Sequence, residues 1–210
     1  MSQKAHIIDR AMRMFVDQGI KAVRMDDIAR ELGVSKRTLY ELFGDKDELL
    51  FLCFKQYLEE IERRVRERAL AFSSNKLEEI MIGLSEVMQY SETNTRIMGN
   101  LRKFYPEVCE RIHKEHGEKG SERLRTAIHG VVELGWIDRN ANIDLALTML
   151  YYMAFGIVTR KDMILPEGLS AHAAFTHVVV LFFRGISTPE GMRIIDEMQQ
   201  SERFRHYIED

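Results

Sequence analysis

The sequence predicts an all-α protein: an N-terminal three-helix helix-turn-helix unit followed by a larger helical bundle. Three observations carry this. Apolar residues recur at offsets of three and four through most of the chain, and no stretch keeps the alternation of a half-buried strand. Only three prolines, at 106, 166 and 189, interrupt 210 residues, so long helices are permitted. Between Met25 and Lys46 two short helical patterns lie too close together to be independent, joined by a turn that contains Gly33.

Taken in order, the first helix is expected from about Gln3 to Gln18. Ile7, Ile8, Ala11, Met12, Phe15 and Val16 form its apolar stripe, and Gly19 closes it. Met25, Ile28, Ala29 and Leu32 mark the second helix, which Gly33 ends. Ser35 is the N-cap candidate of the third, where Leu39 and Phe43 face inward and Lys36, Arg37, Thr38, Tyr40 and Glu41 face out. The fourth starts near Asp45-Lys46-Asp47 and carries Leu49, Leu50, Cys53, Phe54, Tyr57, Ile61 and Val65 to about Phe72, a long strut with a charged far end.

Beyond Ser73-Ser74-Asn75 the pattern stays helical. Leu77 to Met88 gives one stripe, and Ile97 to Tyr105 gives another, stopped by Pro106. Val108, Cys109 and Ile112 mark a short helix ending at Gly117, and Leu124 to Val132 mark one closed by Gly135. The segments 143–158 and 171–185 are apolar almost all round and each needs cover on more than one side. Two such helices suggest a twofold four-helix interface between subunits, hence a homodimer. Thr188 and Pro189 then start the last helix as cap and first residue.

Composition narrows the class. With 45% apolar and 30% charged residues, the chain reads as a soluble helical protein. No apolar run approaches the roughly 18 residues of a membrane span, and the N-terminus lacks a signal-peptide core. Cys53 and Cys109 show no framework spacing, so a reducing cytoplasm is expected. The net charge of −3 argues by itself against a nucleic-acid partner. Residues 1–46, however, hold nine Lys/Arg against seven Asp/Glu. DNA binding needs a local basic face rather than a basic protein, and modest, salt-dependent non-specific affinity is expected.

The motif Ile28-Ala29, Gly33-Val34-Ser35, Thr38-Leu39-Tyr40, Phe43, Lys46 and Leu49-Leu50 resembles the DNA-reading end of the TetR (tetracycline-repressor) family in order, spacing and residue type. The resemblance is confined to about the first fifty residues. Two positions depart from the family pattern: Arg24 stands where a Thr or Ser usually caps the first motif helix, and Leu42 stands where an aromatic or His often precedes Phe43. The resemblance implies a division into a DNA-binding domain, 1–48, and an effector-binding and dimerisation domain, 49–210. It also implies a homodimer and a ligand-responsive regulator, usually a repressor. Lys36 and Arg37 suit guanine edges in the major groove. Arg24, Ser35, Thr38, Tyr40 and Lys46 suit phosphates, which position without specifying. Two readers related by a twofold axis would sit roughly 34–36 Å apart or a multiple of that, on a near-palindromic operator.

Met81, Met88, Met98, Phe104, Tyr105, Trp136, Tyr151, Tyr152 and Phe155 are candidates to line a site for a small, largely apolar effector, because Met and aromatic side chains build adaptable cavities. At helical spacing the same residues equally read as ordinary core. Cys109, His113 and His116 share a helical face in a C-x3-H-x2-H spacing that could contribute to a zinc or copper site, but three ligands from one short helix rarely complete one. No G-x-S-x-G, phosphate-binding Gly-rich loop or H-E-x-x-H is present, so neither catalysis nor a cofactor is expected. Two other readings stay open: a constitutive DNA-binding dimer, and a small-molecule binding protein with a weakened reader.

Overall fold

The computed structural model describes residues 2–159 and 165–209. Among them all regular elements are helical. In order they are α1 (Gln3–Gln18), α2 (Met25–Leu32), α3 (Lys36–Phe43), α4 (Lys46–Phe72), α5 (Lys76–Glu86), α6 (Ser91–Phe104), α7 (Pro106–Ile112), α8 (Glu118–Glu133), α9 (Ile143–Thr159), α10 (Ala171–Ile186), α11 (Pro189–Gln200) and α12 (Glu202–Glu209). One isolated antiparallel bridge, Ile137 with Ser187, is the nearest approach to a sheet among these residues. The last helix, α12, is an addition to the expected set: Ser201 breaks the run, and its hydroxyl accepts from the Phe204 N–H at 3.1 Å.

The helices collect into two compact units that interleave along the chain. The first holds the residues up to Glu62 together with Thr93–Gly120; the second holds Arg63–Glu92 together with the chain from Ser121 onward. Packing therefore divides the chain differently from a cut at residue 48. The physical reason lies in coverage: three short helices cannot bury their own stripes. Leu49, Leu50, Cys53 and Phe54 of α4 supply part of the missing cover, and Ile97, Leu101, Val108, Cys109 and Ile112 of α6 and α7 supply the rest, around Ile7, Phe15, Ile28 and Leu39.

The second unit is built on α5 and α10, where Leu77, Met81 and Ile82 share a core with Phe175, Val179 and Phe183; Ile195, Met198, Phe204 and Tyr207 close it from α11 and α12. A clasp fixes the start of α11. The Thr188 N–H donates to the Trp136 carbonyl at 3.0 Å, its hydroxyl donates to the Gly135 carbonyl at 2.7 Å, and the Asp138 N–H donates to Ile186 at 2.9 Å. Gly191 permits that approach, since a Cβ there would fall 2.0 Å from the Trp136 carbonyl oxygen.

Gly117 does not end a helix. It closes a π turn, His113–Gly117, through which α7 runs on into α8. A Cβ at this glycine would lie 3.0 Å from His113 Nδ1, so the absent side chain lets the imidazole sit against the wider turn. Among the described residues no helix is long and apolar enough to cross a membrane.

Candidate nucleic-acid interface

The segment from Arg24 to Lys46 is positioned by backbone chemistry at each joint. Arg24 occupies the cap position of α2, and an Arg side chain has nothing to accept with. The sequence compensates one turn later, where Asp27 accepts from the Arg24 N–H at 3.0 Å. Gly33 leaves α2 in the left-handed region, at φ 63° and ψ 27°, with its N–H on the Ala29 and Arg30 carbonyls. Ser35 then caps α3: its Oγ accepts from the Thr38 N–H at 3.0 Å and lies 2.7 Å from the Thr38 hydroxyl. Leu39 and Phe43 are buried, which fixes the rotation of α3 and turns Lys36, Arg37, Tyr40 and Glu41 to solvent.

The exposed side chains are ordered by one another. Lys36 Nζ lies 2.8 Å from an Asp26 oxygen and 6.0 Å from the centre of the Tyr40 ring. Arg37 Nε lies 2.7 Å from Glu41, one turn along the same helix. The Asp26 carboxylate raises the affinity of Lys36 for its proton, by hydrogen bond first and by charge second. Of the residues proposed to touch DNA, Arg24, Ser35, Lys36, Arg37 and Tyr40 are exposed, and Thr38 is half-buried with its hydroxyl against Ser35. Lys46 is placed differently. Its ammonium donates to the Ile20 carbonyl at 2.6 Å and sits 5.1 Å and 5.8 Å from the centres of the Tyr105 and Phe15 rings. That geometry ties the start of α4 to the loop after α1, a structural task the sequence motif did not reveal.

The residues proposed to line an effector site divide between the two units. Met98 and Tyr105 pack on the core of the first, and half-buried Phe104 lies in that unit under the Lys21 ammonium, 5.0 Å from its ring centre. Met81, Met88 and Trp136 belong to the core of the second. Tyr151, Tyr152 and Phe155 lie on α9 at 65%, 67% and 51% exposure, so they enclose nothing within a single chain. Leu145 and Met149 of α9 and Leu181 of α10 are also exposed apolar residues. Cys109 is buried in the first core while His113 is exposed, and among the described residues no group of three or more His, Cys, Asp or Glu is arranged to hold a metal.

Sequence reasoning missed two features of the reader. One is Asp26, whose pairing with Lys36 crosses the turn and leaves no local spacing signal. The other is the buttress behind α1: Arg96 of α6 donates to the Val16 carbonyl at 3.1 Å, and Arg10 pairs with Glu31 of α2 at 3.1 Å.

Comparison with known proteins follows the same outline. Residues 7–53 match the model of the bacterial regulatory proteins of the tetR family. The HTH-type transcriptional regulator HbdR of Aromatoleum sp. (strain CIB) is 38% identical over 63 residues, 30% of this chain and 28% of that protein. The HTH-type transcriptional regulator YvaF of Bacillus subtilis (strain 168) is 29% identical over 187 residues, 88% of this chain and 95% of that protein. The fold is shared over a similar length: the structure of the fatty acid degradation regulator FadR from Bacillus halodurans superposes with a TM-score of 0.65 at 21% identity, over 88% of this chain and 97% of that one.

Proposed function

We propose that this chain, a DNA-binding transcriptional regulator of the TetR family, works as a ligand-responsive homodimer, a repressor released from a near-palindromic operator by a small, largely apolar effector. The observation that carries the DNA half is α3 itself, a capped helix whose inward face is buried and whose outward face offers Lys36, Arg37 and Tyr40. Lys36 and Arg37 read base edges, while Arg24, Ser35, Thr38 and Tyr40 contact phosphates. Lys46 acts by holding the reader together.

Dimerisation is proposed through α9 and α10. Leu145, Met149 and Tyr152 recur at helical spacing on α9, and Leu181 adds to the exposed apolar surface from α10. Large apolar side chains exposed at helical spacing in this way suit an association surface. The effector is placed against Met81, Met88 and Trp136, which pack together in the core of the second unit, and an apolar one is in keeping with the fatty acid degradation regulator whose fold is similar. Release requires that the effector prefer one arrangement of the two readers, since equal affinity for both would shift nothing.

The test is an electrophoretic shift on DNA flanking the protein's own gene, wild type beside Arg37→Ala. A specific shift weakened by roughly 1–3 kcal/mol in the variant is expected. A wild type that shifts specific and unrelated DNA alike would remove the reading.

A further inference from the structure

Both outward cations of α3 are already engaged, and the two pairs differ in kind. Arg37–Glu41 runs along one helix and uses Nε. The two Nη groups, which match guanine O6 and N7, lie outside that contact. Lys36–Asp26 instead spans the turn, from the second residue of α2 to the first of α3, with Nζ 2.8 Å and 3.1 Å from the two Asp26 oxygens. An ammonium is a compact charge with three donors and no second edge. Pairing it with a carboxylate therefore has two consequences. The pair is neutral at a distance, so Lys36 adds little to the sequence-independent attraction of phosphates. At short range one donor stays on Asp26 while the remaining two are left to meet the adjacent O6 and N7 of a guanine.

We propose that Asp26 is a specificity-determining residue of the reader: it cancels the attraction of Lys36 for any phosphate while orienting its ammonium toward a guanine edge. The inference rests on the reading of α3 as the DNA-reading helix. Asp26 touches no base in this arrangement; it acts through Lys36.

The test uses the full-length protein and fluorescence anisotropy over a salt series, with two duplexes of about 30 base pairs, one of unrelated sequence and one selected by the wild type from a randomised pool. For Asp26→Asn, affinity for the unrelated duplex rises about two- to five-fold, the range of an exposed ion pair. Its salt slope steepens by about 0.9, equivalent to one more phosphate contact. Affinity for the selected duplex rises less, so the ratio between the two falls. Adding Lys36→Met to Asp26→Asn returns slope and affinity to those of Lys36→Met alone. An equal gain from Asp26→Asn in the Lys36→Met background would show that the carboxylate acts as a bare charge rather than through Lys36, and an unmoved slope and ratio would likewise overturn the proposal. Thermal unfolding checks that Asp26→Asn is folded, and Asp26→Ser repeats each measurement if it is not. A wild type that selects no duplex overturns the reading of α3, whereas a selected duplex with an unchanged ratio overturns only the role of Asp26.

Discussion

The two units of this protein invert one another's chemistry. In the first, the core that joins α1 to α4 with α6 and α7 is apolar, and the one large hydrophobic residue exposed on its surface, among the described residues, is Tyr40 of α3. In the second, Glu78, Ser85, Glu86, His172 and Thr176 are buried, while Leu145, Met149, Tyr151, Tyr152, Phe155 and Leu181 face outward. The buried polar groups have partners: Glu86 pairs with Arg68 at 3.1 Å, Ser85 donates to Met81, Thr176 donates to the His172 carbonyl, and His172 meets the Tyr207 hydroxyl at 3.0 Å. The contrast separates two tasks. On the proposed function, a reader keeps its polar groups outside, to meet bases and phosphates, and is finished as a single chain. On the same proposal, a unit that exposes an aromatic helix is finished when a second copy covers it.

The largest effect should come from breaking that cover. Tyr152→Glu changes a side chain that is 67% exposed in one chain, so the folded monomer should tolerate it within about 0.5 kcal/mol. In a dimer closed through α9 the same change buries an unpaired carboxylate, and we expect the dissociation constant, read by sedimentation, to rise by at least about 100-fold, close to 3 kcal/mol. Leu134→Glu, at an exposed residue at the end of the α8 region, serves as the control and should leave association unchanged. Equal effects from the two substitutions would dissolve the comparison, because any exposed hydrophobic residue would then do.

A second, smaller effect probes the buried polar side. Arg68→Met keeps an unbranched apolar stem but removes the guanidinium, whose Cζ lies 4.9 Å from the Phe72 ring centre and 5.7 Å from that of Tyr207, and leaves the Glu86 carboxylate buried without its cation. Breaking a fully buried pair from one side costs about 3–5 kcal/mol. Here the Arg68 side chain is 36% open to water, so about 2 kcal/mol is expected in urea unfolding. A loss under about 0.5 kcal/mol would mean that water already serves Glu86 and that the inversion is shallow.

How far the sequence revealed this contrast follows from what periodicity can encode. The apolar stripe of each helix, the Ser35 and Thr188 caps, the left-handed Gly33 and the extent of α4 to Phe72 were all legible, because each depends on residues within a turn or two. Partners were not. The stripe from Ile97 to Tyr105 reads as apolar wherever it packs, and nothing in its spacing says that it completes the reader rather than the second unit. Lys46 fits a phosphate contact by type, and only the placement of Ile20, Phe15 and Tyr105 shows where its ammonium goes. Tyr151, Tyr152 and Phe155 read as cavity lining because an aromatic run tells that burial is wanted, not whether the same chain or another supplies it. Gly117 reads as a stop because a glycine after a periodic run usually is one; the π turn needs the same residue for room beside His113.

His172 gives the smallest effect and the clearest sign. Burial among α10, α5 and α12 lowers its affinity for a proton; the Glu86 carboxylate opposes this and the Arg68 cation adds to it. The unfolded chain, with a His near its ordinary value of about 6.5, thus takes up a proton that the folded chain resists. Stability must then fall as the pH drops from above that value toward the lower folded one, and level off below it, the reverse of a His stabilised by a salt bridge. One proton bounds the slope at about 1.4 kcal/mol per pH unit. His172→Gln retains a hydrogen-bonding end for Tyr207 without the titration, so the difference between wild type and variant isolates this residue from the other histidines. Urea midpoints between pH 7.5 and 5.5 should decline more steeply in the wild type. Parallel declines would mean that His172 accepts its proton inside the folded unit, beside Glu86, and that the polar interior of the second unit is as hospitable to charge as the surface of the first.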